Sequence, residues 1–370
     1  MGILFGNYTA QGIGLVMREI RAVYVEDDEG EGQKYSRLLS TKKLRVKPVM
    51  APSVLSNEPI LKENPDLVLI DYELTQKQRS GNMATYRGGT LATSIREERS
   101  SIPLILVTRR ALLEKYSGAP GQLEPFDISI FKDEIRSNRA RIAGQLVALA
   151  SGYLALKKAA PLTWTRIMVM LRASRPDIEL LKQCRPDSEL PKARATGKVK
   201  WAIPTVVRWI LDPLFRYPGI LYDQMYAATA LGISCDSLSK TELQRVLSRA
   251  EYQGVFSDLG KRWWRSELLA EAFRVVKKAG MEAPLARSFA PALWKVHRIK
   301  AERAVCLQSG ETYADTVCFV LRKPVMYRYT LAYFPDDRPK VMDQARVSFK
   351  ARGSSDFDRD FLSLESRKAR

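Results

Sequence analysis

The chain of 370 residues has one histidine, His297, and four cysteines, Cys184, Cys235, Cys306 and Cys318, none in a C-x-x-C pair. A zinc site would consume nearly all of these ligands with no local pairing, so structural or catalytic zinc is not expected. A disulfide framework does not fit so long a chain with so few cysteines, and a reducing, cytoplasmic setting is the expectation. One histidine with no nucleophile or carboxylate at a telling spacing gives a Ser/His/Asp or Cys/His mechanism no support, and His297 reads as an ordinary helix residue. No apolar run approaches the roughly 18 residues that a membrane span needs. The opening stretch MGILFGNYTAQGIGLVMREI is apolar but has no basic segment ahead of it, so it reads as an extension, not a signal peptide.

What is present is charge, unevenly placed. The net charge is +19. Residues 1–150 hold 21 Lys+Arg against 18 Asp+Glu, whereas residues 151–370 hold 39 against 23. The length predicts two domains or three, and this asymmetry predicts two parts with different tasks. The basic part suits a polyanion or an acidic protein surface, or it serves solubility alone.

The first part alternates strands and helices. IRAVYV is a short apolar strand that runs into Glu26, Asp27, Asp28 and Glu29, and GQKYSRLLSTKK follows with helical spacing. DLVLID is a strand ending on Asp71, and GTLATSIREERS is a helix. IPLILVT is a strand ending on Thr108, FDISIFK one ending on Lys132, and IRSNRARIAGQLVALASGYLALKK a long helix. Such alternation predicts an α/β, doubly wound parallel sheet, covered on both faces because its strands are apolar throughout. In such sheets chemistry collects at the carboxyl ends of the strands. Here those ends carry Glu26 and Asp27, then Asp71, Thr108 and Lys132.

Three carboxylates at one edge repel unless a cation neutralises them, and Mg²⁺ prefers oxygen ligands. With the metal in place, one carboxylate can accept a phosphoryl group, since aspartate is a known nucleophile in aspartyl-phosphate chemistry. Lys132 and Thr108 then supply donors for the phosphoryl oxygens.

Over roughly Ile20 to Ser151 the chain resembles the receiver domain of two-component response regulators, a flavodoxin-like fold. The matching pieces are VYVEDDE, DLVLIDYEL, GGTLATSIRE, IPLILVTRRA and DISIFKDEI, in that order. The resemblance implies that Asp71 accepts phosphate from a sensor histidine kinase or a phosphotransfer protein. It implies that Glu26 and Asp27 hold Mg²⁺ together with Asp71 and the backbone carbonyl of Glu73, and that Thr108 and Lys132 sense the phosphoryl group. Three positions depart from the family pattern: Asp133 where proline is usual, Ser129 where an aromatic is common, and Arg109 where a small residue is typical. The loop TQKQRSGNMATYRGG is longer than usual and reads either as a solvated insertion or as a lid or kinase-contact surface beside the site.

The expected domain layout is an extension over 1–19, a receiver over 20–155, a basic, mainly helical α+β effector over 156–350, and a polar tail over 351–370. No family is recognised in the effector. LTWTRIMVMLRAS reads as a buried helix, the charged stretch RPDIELLKQCRPDSELPKARATGKVK with Pro176, Pro186 and Pro191 as turns and a mobile linker, and TVCFVLRKP, VMYRYTLAYF and QARVSFKA as strands. Over about 219–268 the pattern fits a winged helix. ILYDQMYAATALGIS supplies the first helix and turn, Ser239 and Glu242 a capping box opening KTELQRVLSRAEYQG, and GVFSDLGKRWWRSEL the wing. Arg245 and Arg249, four apart, and Lys261, Arg262 and Arg265 are the candidate nucleic-acid contacts.

Two functions follow as expectations: a phosphorylation-controlled regulator whose effector binds DNA, or an adaptor whose effector binds a protein through Trp201, Trp209, Trp263, Trp264 and Trp294. The sequence carries no motif for a separate output enzyme.

Overall fold

A computed structural model describes residues 18–75, 83–109, 123–186, 199–282, 284–333 and 339–353. Most of the N-terminal extension, the middle of the long loop with Lys77 and Arg79, part of the linker and most of the polar tail lie outside the described residues.

The chain divides after Leu154 into two units. In the first, β1 (Ile20–Glu26), β2 (Leu44–Met50), β3 (Leu67–Asp71), β4 (Leu104–Thr108) and β5 (Ile128–Phe131) form one parallel sheet in the order β2-β1-β3-β4-β5. That is the flavodoxin-like order, in which the strand sequence reverses between β1 and β3. Every residue of β3 and β4 is buried, as apolar strands covered on both faces require. Val23, Val25, Val68 and Ile70 pack against α2 (Glu58–Leu61) and against Leu91, Ala92 and Ile95 of α3 (Gly88–Glu98). The alternate residue Tyr24 meets Tyr35 of α1 (Glu29–Leu39) edge-on, with ring centroids 6.4 Å apart.

Two features differ from the sequence expectation. The sheet has a fifth strand, β2, which alternates Leu44 and Val46 with exposed Arg45 and Lys47 and carries Pro48. A charged strand with an internal proline is tolerated at an edge, where one row of backbone groups is not paired, and β2 lies at the edge. Lys132 does not end β5; it opens α4 (Lys132–Ala159), whose helical geometry breaks once, at Asn138.

The second unit has a helical core, and the start of the expected linker belongs to a helix: Arg175–Leu181 is helical, with Pro176 in its first turn, where a missing amide donor costs nothing. α5 (Trp164–Leu171) is capped by Thr163, whose side chain accepts from the Arg166 amide. Farther on come β6 (Leu221–Asp223), α6 (Gln224–Ala230), α7 (Cys235–Leu238), α8 (Thr241–Val246), β7 (Arg262–Trp264), α9 (Arg265–Lys278) and α10 (Leu285–His297). Ala227, Leu231, Leu238, Leu243, Leu268, Phe289 and Leu293 share one buried cluster. β6 and β7 pair antiparallel, and Glu251 bridges to Trp263 on the other side of β7. The expected strands near the end form a four-stranded sheet, ordered β10-β11-β8-β9, from β8 (Thr316–Cys318), β9 (Lys323–Val325), β10 (Thr330–Tyr333) and β11 (Ala345–Ser348).

The capping box at Ser239 does not form. The expected turn GISCDSLS contains a helical turn of its own, α7, so Ser239 lies at the C-terminal end of α7. Its hydroxyl donates to the Cys235 carbonyl at 2.9 Å, and Lys240 occupies the N-cap of α8.

Candidate functional site

Parallel register puts the functional ends of the strands at one level. Val25 pairs with Ile70, Asp71 with Val107, and Thr108 with Phe131, so Glu26, Asp71, Thr108 and Lys132 emerge along one edge of the sheet. All four are buried, as is Asp27. The edge flanks the point between β1 and β3 where ligands bind in sheets of this topology.

Lys132 organises the charge. Its Nζ lies 2.6 Å from Glu31 Oε2, 2.9 Å from Glu26 Oε2 and 3.2 Å from Asp71 Oδ2. Burial by itself disfavours the ammonium, but the carboxylates of Asp71 and Glu26, with hydrogen bonds to Glu31 and Glu26, outweigh it and hold the amine above its ordinary pKa. Asp71 is pushed toward its neutral form. Burial first, and the Glu26 charge second, raise its carboxyl well above the usual range, and Lys132 only partly offsets them. Its second oxygen, Oδ1, accepts the Tyr72 amide at 2.9 Å. Glu26 is held by the Tyr24 hydroxyl at 2.5 Å and by the Asp27 amide at 3.2 Å.

Glu26, Asp27 and Asp71 each offer an oxygen, and these lie within 4.8 Å of one another. Among the described residues Lys132 is the one buried amine against these three carboxylates and Glu31, a surplus of negative charge that suits a hard divalent cation with oxygen ligands. The donor set therefore fits Mg²⁺. Glu73, two residues past Asp71, is half-buried. Thr108 Oγ1 is buried with no hydrogen-bond partner among the described residues. A buried hydroxyl without a partner is costly, and this one lies one residue past the strand position paired with Asp71.

Three site features escaped the sequence reading. Glu31 stands in the first turn of α1, and nothing in EGEGQ signals a partner 101 residues away. Tyr24 reads as a core aromatic, although its hydroxyl is spent on Glu26. Gly88 starts α3 against the backbone of Asp71, and its amide donates to the Tyr72 carbonyl at 2.9 Å. Of the three departures, Ser129 is exposed, Asp133 lies in the first turn of α4, and Arg109 pairs with Glu31 at 3.4 Å.

In the second unit the five basic candidates separate. Arg245, Arg249 and Lys261 are exposed, and none of the three makes an ion pair among the described residues. Lys261 Nζ donates to Gln244 Oε1 at 2.6 Å. Arg262 lies half-buried with its guanidinium 3.7 Å from the Phe215 ring centroid, and burial lowers its pKa to about 10. Arg265 pairs with Asp343 at 2.9 Å over the Tyr222 ring. Of the tryptophans expected to form a partner surface, Trp209, Trp263 and Trp264 are buried and Trp201 is half-buried; Trp294 is 54% exposed. The expected partner surface therefore does not form as a group: Trp209, Trp263 and Trp264 belong to the core, and Trp294 alone of the five is exposed.

No family model matches the sequence, and no curated protein matches it. Solved structures do. The signal receiver domain of NarL from Mycobacterium tuberculosis is 19% identical, with 36% of this chain and 98% of that one covered and a TM-score of 0.28. The response regulator domain of Thermotoga maritima CheB is 19% identical over 36% and 96%, with a TM-score of 0.28. The response regulator TrrA from the same organism, in complex with Mg²⁺ and BeF, is 20% identical over 32% and 94%, with a TM-score of 0.24. The likeness is to receiver domains and covers about a third of the chain; the assignment of the fold rests on the strand order above. No helix among the described residues is long and apolar enough to cross a membrane.

Proposed function

We propose that the chain is a response regulator that accepts a phosphoryl group on Asp71 in a Mg²⁺-dependent reaction and controls a basic effector that binds duplex DNA. The observation that carries the first half is the Lys132 amine 3.2 Å from Asp71 Oδ2, at a sheet edge that also carries the Thr108 hydroxyl, buried and without a partner among the described residues. In the reaction an Asp71 oxygen forms a bond to phosphorus as the donor's P–N bond breaks, and the leaving nitrogen takes up a proton. Lys132 and Thr108 hold the phosphoryl oxygens. Glu26, Asp27 and Asp71 would hold Mg²⁺, with the Glu73 carbonyl as a fourth oxygen; when bound, the metal offsets the charge of the carboxylates and the incoming phosphoryl group. The donor in the cell is a sensor histidine kinase or a phosphotransfer protein.

The DNA half rests on the order of elements over 221–264. One strand, three short helices, a bridge at Glu251 and a returning strand make a helical cluster followed by a hairpin. Arg245 and Arg249 are exposed along and just past α8, and Lys261 precedes β7. Three exposed cations without acidic partners among the described residues suit phosphate contacts.

The test is labelling of the full chain by phosphoramidate with Mg²⁺, read as intact mass, followed by duplex-DNA binding at several salt concentrations. Labelling that is lost in Asp71→Asn, with binding that weakens steeply as salt rises, is the expected result. An equally labelled Asn variant removes the Asp71 assignment. Binding that is absent in both phosphorylation states removes the DNA reading and leaves a protein partner.

A further inference from the structure

The shortest contact of the Lys132 amine is with Glu31, which is not one of the three clustered acids. Glu31 Oε2 lies 2.6 Å from Lys132 Nζ, and Glu31 Oε1 lies 3.4 Å from Arg109 Nη2. One side chain thus joins the first turn of α1, the residue after β4 and the first residue of α4. An ammonium has three N–H donors, and the three carboxylates of Glu26, Glu31 and Asp71 occupy them. A phosphoryl group on Asp71 brings new oxygens to the same amine, so one carboxylate must give way.

Geometry selects which. The Glu26 side chain is 2% exposed and is also held by Tyr24 and the Asp27 amide; that of Asp71 is 8% exposed and carries the new group. The Glu31 side chain is 24% exposed, so it can turn to water at little desolvation cost. The helix beneath it is weakly built at that point. The first turn reads EGEG, and glycine, with the most backbone freedom to lose, favours the helix less than other residues. It is held by the Asp28 cap, whose carboxylate accepts the Glu31 amide at 2.8 Å, and by the Glu31–Lys132 contact.

We propose that Glu31 is the exchangeable partner of Lys132. It positions the amine beside Asp71 in the unphosphorylated chain, yields it to the phosphoryl group, and so couples phosphorylation to loosening of the first turn of α1 and of its tie to Arg109. The proposal rests on Asp71 being the phosphoacceptor.

The experiment is amide hydrogen exchange over residues 29–39 of the full-length protein, with and without phosphoramidate and Mg²⁺. Wild type, Glu31→Gln and Glu31→Asp are compared. In the wild type, exchange in the first turn of α1 rises about tenfold on labelling, the scale of one charge-assisted contact. Glu31→Gln shows the raised exchange before labelling and little further change. Glu31→Asp, which keeps the charge but is one methylene short of Lys132, behaves like Gln if the contact matters and like wild type if only charge does. A labelled wild type with unchanged α1 exchange overturns the inference alone, as does a Gln or Asp variant indistinguishable from wild type before labelling. A wild type that takes no label overturns the phosphoacceptor reading and this inference with it.

Discussion

Gly88 sits so close to Asp71 that a β-carbon built on it overlaps the Asp71 carbonyl oxygen and stands 3.0 Å from the carbonyl carbon. The start of α3 is thereby packed directly against the backbone that carries the proposed phosphoacceptor. Gly88→Ala must push that backbone or the helix aside. The expected cost is about 1–3 kcal/mol of stability in the first unit, with a matching loss of phosphoramidate labelling. Chemical denaturation of the variant checks the first, and intact mass the second. A variant with wild-type stability and labelling contradicts the close packing.

Thr108→Val tests the buried hydroxyl. Valine matches threonine in shape and removes a polar group that has no partner among the described residues. Stability is expected to rise by about 1 kcal/mol in the unphosphorylated protein. The phosphoryl group then lacks one donor, so the labelled form should hydrolyse at a changed rate and lose its effect on DNA binding. A destabilised valine variant would show that Oγ1 is satisfied in solution.

Asp71 also makes a pH prediction. Burial, and then the charge of Glu26, raise its carboxyl well above the ordinary range. A carboxyl with a raised pKa favours folding in its protonated form. That contribution is full below the unfolded value of about 3.9 and is lost as pH rises through the folded value. At neutral pH without metal, Asp71→Asn should therefore raise Tm, by roughly 2–4 °C, and the gain should shrink as the buffer is acidified. Mg²⁺ should raise the Tm of wild type more than that of the variant. Glu31 has the opposite sign: although burial opposes it, its hydrogen bond and charge contact with Lys132 lower its pKa. Its contribution is present above the unfolded value and is lost as pH falls through the folded one.

The basic residues of the second unit should separate by function. Replacing Arg245 and Arg249 together by alanine should leave stability nearly unchanged and reduce the salt slope of DNA binding by about 2, one ion for each phosphate contact. Arg262→Ala should do the reverse, since its guanidinium stacks on Phe215 in a half-buried place: a loss of about 1–2 kcal/mol and an unaltered slope. Thermal melts and salt titrations of the same preparations distinguish the two. Equal slopes for all variants would remove α8 from the binding surface.

Much of the first unit was legible because its signals are local. Uninterrupted apolar runs such as LVLI and LILV mark buried strands, and a polar residue after each marks the sheet edge. β2 was not legible, because an edge strand may alternate with charge and carry Pro48. The cap at Ser239 was misread because the residue also ends a preceding helical turn, which the sequence pattern hides.

By itself the sequence determined which chemistry is available: three acids, a hydroxyl and an amine at strand ends, and a basic second half. Residue type and periodicity are properties of short stretches, so they survive in the linear string. The tertiary structure decided the pairings. It gave Lys132 a third carboxylate in Glu31, left Thr108 without a partner among the described residues, and set Gly88 against Asp71. It also turned Arg262 inward while leaving Arg245 outside. These depend on contacts between segments as far as 106 residues apart, and no local pattern encodes the distance between two side chains that meet only when the sheet is assembled.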